Sequence, residues 1–396
     1  MIIKLPPTTG TVLPLNDKEL LYVDVHKIVQ TSENYGEMFR TFSDSMTSIF
    51  KFREVVQTGL TYPRFDICQK YFGYNLVADP AITLLPDLSK IPPDLLDFEN
   101  ITDKRAMELL AFAAPFERIY LFWSGGIDST TILCSLIKNW SNTDLEKITI
   151  VMNDWCIEEN QFMYYKYILG KYKTVRTDDF WNRTLTMNNN NVYVTGDCAE
   201  PVMGYSSLNQ FDSFFPGAFA KPVHSQIDNI IKYFMQSTGN KSWAEFALEH
   251  IFESLAKNNI TVTTVYDFLW WIEFNWAHAT NFYFILYIFG LVDNTIDVRK
   301  FLTTNMFAYY DSVDFQYWSI QAIGTDRKIQ DTILTNKISQ KKYIHAVNGD
   351  TEYLKNKTRV GSIGKNLVWR EMKFLLGIDT DFNIYYRDPY NCYEKR

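Results

Sequence analysis

Ser124-Gly125-Gly126-Ile127-Asp128-Ser129 holds the residues of this chain best suited to chemistry. Two adjacent glycines leave backbone N–H groups open to an anion, with no Cβ in the way. Hydroxyls at Ser124, Ser129 and Thr130 add donors, and Asp128 supplies a hard oxygen suited to a magnesium ion. The expected chemistry is a pyrophosphate cradle. The Gly-Lys-Ser/Thr ending of a Walker loop is missing. A second cluster, Thr195-Gly196-Asp197-Cys198-Ala199-Glu200, spaces two carboxylates three residues apart. One helical turn would place both on the same rim, one for a metal and one for a proton. Each cluster also has a plain reading: a glycine turn that binds nothing, and an Asp-capped turn with Glu200 in solvent.

These residues must be positioned by strands and helices. Arg118–Trp123 reads as a buried strand, and Thr130–Ile137 as the helix that follows the cradle. Lys147–Met152, Lys173–Arg176 and Asn191–Thr195 read as further strands, with helices over 106–114 and 158–169. This alternation predicts an α/β fold: a mostly parallel sheet with flanking helices and ligands at its C-terminal strand ends. Beyond 205 the pattern turns helical. Ser242-Trp-Ala-Glu245 reads as a capping box, followed by a face of Leu248, Ile251, Phe252 and Leu255, and buried helices are expected over 265–292 and 296–320. Pro80, Pro86, Pro92 and Pro93 suit a linker, so a small N-terminal lobe over 1–100 and a main domain over 101–396 are expected.

Bulk properties exclude several classes. A net charge of −7 creates no general attraction to nucleic acid or an anionic membrane, although a basic patch over 337–373 stays open. The apolar run 282–292 is too short to span a bilayer, so buried helices and no membrane partner are expected. The five cysteines form no Cys-x-x-Cys pair, which fits a reducing cytoplasm better than a disulfide framework or zinc site.

Ser-Gly-Gly-x-Asp-Ser after a strand resembles the signature of the N-type ATP pyrophosphatases, the PP-loop superfamily. The segment Val194-Thr-Gly-Asp-Cys-Ala-Glu-Pro-Val-Met-Gly-Tyr205 narrows the resemblance to the synthetase domain of asparagine synthetases. That family reads approximately Ser-Gly-Glu-Gly-x-Asp-Glu-x-x-x-Gly-Tyr there. Asp197 stands in place of its catalytic Glu, Glu200 in place of a magnesium-binding Asp, and Pro201 in place of the next acid. Ala308-Tyr-Tyr-Asp-Ser312 resembles the family's Pro-Phe-Leu-Asp, with Asp311 at the acidic position. Lys342–Val347 resembles its Lys-x-x-Leu-Arg-x-Ala, and Lys357-Thr-Arg-Val-Gly361 its Arg-x-Lys-x-Gly.

The resemblance implies an adenine nucleotide alpha hydrolase-like sheet and the use of ATP and Mg2+. The implied activity is adenylation of a small-molecule carboxylate, then acyl transfer to an amine or ammonia with release of AMP and pyrophosphate. Ser124, Gly125, Gly126, Asp128, Ser129, Thr195, Gly196 and Arg359 would hold the triphosphate, and Asp128 and Glu200 the metal. Asp197 would act as base. Lys342 would stabilise the transition state, with Lys341 as the alternative register and a solvated basic tail as the bland reading. Adenine would rest near Phe122, Val151 and Met152. Ile2 stands where glutamine-dependent relatives carry a cysteine, so ammonia is expected from solution or a separate amidotransferase. Two other readings stay open: a nucleotide-binding scaffold with altered catalysis, and an enzyme acting on a nucleic acid base or a peptide.

Overall fold

A computed structural model describes residues 10–15, 18–23, 75–77, 86–176, 189–204, 206–238, 241–277, 304–330, 332–357, 377–378 and 384–385. The chain divides into two compact units that interleave along the sequence. One comprises Met1–Leu85, Ser206–Asn294 and Val368–Arg396; the other comprises Pro86–Tyr205 and Thr295–Leu367.

In the first unit, β1 (Gly10–Leu15) and β2 (Lys18–Val23) form an antiparallel pair, and β3 (Asn75–Val77) adds to β2 in parallel.

The second unit carries the five-stranded sheet. It opens with α1 (Phe98–Ala113), whose N-terminus is capped by Asp97 accepting from the Asn100 N–H. Next come β4 (Arg118–Phe122), α2 (Ile127–Asn139), α3 (Asn142–Leu145), β5 (Ile148–Met152), α4 (Asp154–Glu159) and α5 (Gln161–Met163). The helix expected over 158–169 is instead broken at Asn160, whose side chain caps α5, and runs on as a π-helix over Tyr164–Ile168. β6 (Lys173–Arg176), β7 (Asn191–Thr195) and α6 (Ala199–Met203) follow.

In the first unit again, Ser206–Asn294 carries α7 (Ser206–Phe214), α8 (Ile227–Thr238), α9 (Lys241–Lys257) and α10 (Val265–Ile272). Leu248, Ile251 and Leu255 are buried along α9 as their spacing predicts. Ser242, expected at the start of this helix, lies inside it, because α9 begins at Lys241. A capping box does form at α10, between Thr264 and Asp267. Among the described residues no helix is long and apolar enough to cross a membrane. The expected helix over 278–292 lies outside the described residues.

The second unit closes with β8 (Met306–Ala308), α11 (Val313–Gln321), α12 (Ile338–Asn348) and α13 (Thr351–Asn356). The short strands β9 (Gly377–Ile378) and β10 (Ile384–Tyr385) form a separate antiparallel pair.

The five strands β6-β5-β4-β7-β8 lie in that order and are all parallel. β5 and β7 are buried at every position, as strands covered on both faces require. β6 is an edge strand, and its exposed Lys173 and Arg176 discourage further pairing there. Helix was expected across 296–320, but Met306–Ala308 is a strand with its backbone paired to Tyr193–Thr195. Three apolar residues carry no periodicity, so only the sheet edge offered by β7 decides their state. Strand order reverses between β4 and β7, which makes their C-terminal ends the switch-point crevice of the sheet.

Candidate functional site at the sheet switch point

The chain leaves β4 through Trp123 and Ser124 and enters α2 across two glycines. Gly125 has φ +74°, and a Cβ there would stand 2.4 Å from the Cys156 carbonyl oxygen and 2.9 Å from the Glu159 Cβ. The turn is therefore open only to glycine, because it lies directly on α4. Gly126 is the N-cap of α2 and supplies no side-chain cap, leaving first-turn N–H groups for an anion. Ser124 and Ser129 brace the loop: their hydroxyls lie 3.0 Å apart, and the Ser129 Oγ accepts from the Ser124 N–H at 3.1 Å. The Trp123 indole N–H donates to Thr130 Oγ at 3.2 Å, so Thr130 is spent inside the wall. From α13, the Tyr353 hydroxyl reaches the Gly125 carbonyl at 3.5 Å.

The rim of β7 faces this turn. Thr195 Oγ accepts from the Asp197 N–H at 3.1 Å, tightening the turn. A Cβ on Gly196 would lie 3.4 Å from Asp128 Cβ, so the two motifs meet there. Cys198 takes φ 71° at the N-cap of α6, a left-handed conformation uncommon for any residue with a Cβ. That bend carries Glu200 into the first turn of α6, on the same rim as Asp197.

Lys337 joins the two motifs, and it was not anticipated. Its Nζ lies 2.8 and 2.7 Å from the two Asp128 carboxylate oxygens and 2.9 Å from Glu200 Oε1. The lysine side chain is 4% exposed, against 26% for Asp128 and 24% for Glu200. Burial alone would lower the Lys337 pKa, but the two carboxylates outweigh it and raise the value, so the ammonium is charged. Gln340 donates from Nε2 to Asp128 at 3.0 Å and to the Tyr310 hydroxyl at 2.9 Å, and Tyr310 in turn donates to the Asp128 carbonyl at 2.9 Å. Tyr310 is held by the loop after β8, whose carbonyls at Ala308, Tyr309 and Asp311 all accept from Arg105.

Lys342, expected to stabilise the transition state, lies apart from the Lys337 cluster's buried face. It is exposed on α12, one residue beyond the buried face that carries Lys341. A step of one residue turns a helix by about 100°, enough to point neighbours in opposite senses. Lys341, the alternative register, is fully buried and donates to the Leu334 carbonyl at 2.6 Å. Burial first, then the Lys357 and Lys337 cations, lower its pKa to about 8. Arg359 lies outside the described residues. Phe122, Val151 and Met152 are 5%, 0% and 0% exposed, so their side chains belong to the sheet core. Asp311 is partly exposed after β8, and its carbonyl is the atom that contacts Arg105.

Asp197 is half-buried. Burial first, and then the charge of Asp128, push its pKa up to about 6, against hydrogen bonding from Thr195. A carboxylate with that value is a competent base near neutral pH.

A second buried ion pair props the cradle. Lys357 reaches both the carboxylate and the carbonyl of Glu159, the residue whose Cβ faces Gly125. The side chains are 8% and 4% exposed. Lys357→Met is expected to lower stability by about 3–5 kcal/mol, because Glu159 would be left charged and buried. Denaturant unfolding measures this, and adding Glu159→Gln should recover most of the loss. A folded single variant within about 1 kcal/mol of wild type would contradict the buried pairing.

Comparison with protein-family models, with curated proteins and with solved structures found no match.

Proposed function

We propose that this chain is an ATP-dependent, AMP-forming ligase that adenylates a carboxylate and passes the acyl group to a nitrogen nucleophile. In this reading it is an N-type ATP pyrophosphatase, with an adenine nucleotide alpha hydrolase-like sheet and a synthetase domain akin to that of asparagine synthetases. The observation that carries the reading is the convergence of Asp128 and Glu200, from the ends of two neighbouring parallel strands, on one ammonium beside a glycine-only turn.

The residues fit the groups this activity requires. Hard carboxylate oxygens that already share one cation suit magnesium, and Asp128 with Glu200 would hold it. When bound, the ion neutralises phosphate charge. The uncapped start of α2 and the Ser124 and Ser129 hydroxyls are donors for the departing pyrophosphate. Lys337 places a positive charge beside that cradle, and the buried Lys341 adds a second near Lys337. These preorganised cations favour the charge that builds on phosphate as the α–β bond breaks. Asp197 follows the C-terminal end of the neighbouring strand β7, where its carboxylate would take a proton from the incoming nitrogen.

The function is tested by pyrophosphate release from ATP with a panel of small carboxylic acids and amines, alongside a peptide and an oligonucleotide as acceptors. Acid-dependent release with formation of AMP and an amide supports the proposal. Release dependent only on the peptide or oligonucleotide replaces the substrate class. No release under any condition supports a nucleotide-binding scaffold. The base role has its own measurement. The ratio of wild-type to Asp197→Asn kcat/KM cancels the titration of the nucleophile itself. It should rise with pH through about 6, because the protonated carboxyl below that value cannot accept a proton. A ratio independent of pH between 5 and 8 would remove Asp197 from that role.

A further inference from the structure

Lys337 is more than a neighbour of the acidic pair; it fills the space between the two carboxylates. Its ammonium contacts both oxygens of Asp128 and one of Glu200, at 2.7 to 2.9 Å. Two carboxylates against one ammonium leave a formal charge of −1, which a divalent ion cancels and a lysine does not. The lysine is also held against local preference. It adopts φ 55°, a left-handed conformation costly for a long side chain, and it is the N-cap of α12. A cation at that end opposes the helix dipole. No side-chain hydrogen bond caps the helix either. Gln340, one turn on and fully buried, gives both amide protons to Asp128 and Tyr310, while its Oε1 has no partner among the described residues. A buried acceptor left this way calls for a donor that the protein alone does not supply, such as a metal-bound water.

We propose that Lys337 is a resident counter-cation which a divalent metal must displace from Asp128 and Glu200. This rests on the reading of that pair as the cation-holding carboxylates. Before nucleotide arrives, the ammonium offsets one of the pair's two charges and keeps the cradle closed to adventitious metal. A metal ion entering with the phosphates replaces it, and the freed ammonium stays beside the cradle as a phosphate-binding charge. Any metal affinity measured without nucleotide is therefore weakened by the fraction of molecules in which Lys337 has left the pair.

Mn2+ binding to the full-length, nucleotide-free chain, followed by electron paramagnetic resonance, tests the exchange. Lys337→Met should bind Mn2+ about tenfold or more tightly than wild type. The added change Asp128→Asn should abolish that gain. A folded Lys337→Met variant that binds Mn2+ no better than wild type overturns the proposal. A second measurement needs no substitution and decides the matter if that variant does not fold. In wild type, reductive dimethylation read by peptide mass spectrometry should leave Lys337 unlabelled without metal and label it progressively as Mn2+ is added. Labelling that does not change with Mn2+ overturns the exchange. Failure here, with pyrophosphate release intact, removes the lysine's exchange and leaves the ligase reading standing. Tight Mn2+ binding by Lys337→Met, with no pyrophosphate release by wild type under any condition, does the reverse.

Discussion

Gly125→Ala is expected to abolish nucleotide binding and to lower stability by about 2–4 kcal/mol, the sum of left-handed strain and overpacking. The added methyl would stand 2.4 Å from the backbone oxygen of Cys156, which has no soft side chain to yield, and 2.9 Å from the Glu159 Cβ. The turn or α4 must therefore move. Either shift misdirects the N–H groups at the start of α2 and disturbs the buried Glu159–Lys357 pair. Binding of a fluorescent ATP analogue and denaturant unfolding read the two effects separately. Gly196→Ala is the control: its new Cβ meets Asp128 Cβ at 3.4 Å, an ordinary contact, and Gly196 has no positive φ. A Gly125→Ala variant that binds nucleotide like wild type would show that the cradle is not the phosphate site.

The second large effect belongs to Asp128. Asp128→Asn is expected to slow ATP-dependent pyrophosphate release by about 10²–10³-fold, the usual consequence of removing one preorganised charge from a transition state. The side chain keeps its shape, so the change is electrostatic. It replaces one of the two Asp128 oxygens that contact Lys337 by an amide and removes the charge of that carboxylate. Glu200→Gln removes the charge from a group with a single oxygen on Lys337 and should do less harm. Circular dichroism and thermal unfolding establish that both variants are folded, so that a loss of rate is read as a loss of charge. Equal rates for Asp128→Asn and wild type would end the case for chemistry at this turn.

The Lys337 geometry also changes how the basic stretch after residue 337 is understood. A lysine on a helix surface is ordinarily a solvated charge. Here three lysines of one short stretch, Lys337, Lys341 and Lys357, are all buried, and each is tied to a carboxylate or a carbonyl. Burial first, and then repulsion from Lys357 and Lys337, lowers the pKa of Lys341, and an anion entering among them would ease the repulsion. The arrangement gathers positive charge close to the Asp128 turn.

Sequence by itself determined the parts governed by short-range rules. The glycine turn between β4 and α2 was legible because a strand, two glycines, hydroxyls and a first-turn aspartate lie within one run, and the physics of that turn is local. The parallel α/β layout was legible because buried apolar runs alternate with helices. Asp197 and Glu200 were legible because a strand end and one helical turn fix their spacing. Tertiary structure alone decided which lysine meets Asp128 and Glu200. The left-handed backbone at Lys337, the burial of Lys341 and the exposure of Lys342 depend on how α12 docks against α2, and charge carries no periodicity that would reveal it. The same holds for β8, a strand only because β7 offers it an edge, and for Glu159 with Lys357, paired across 198 residues of chain. Such contacts are set by what the completed fold brings together, and no window of sequence contains both partners.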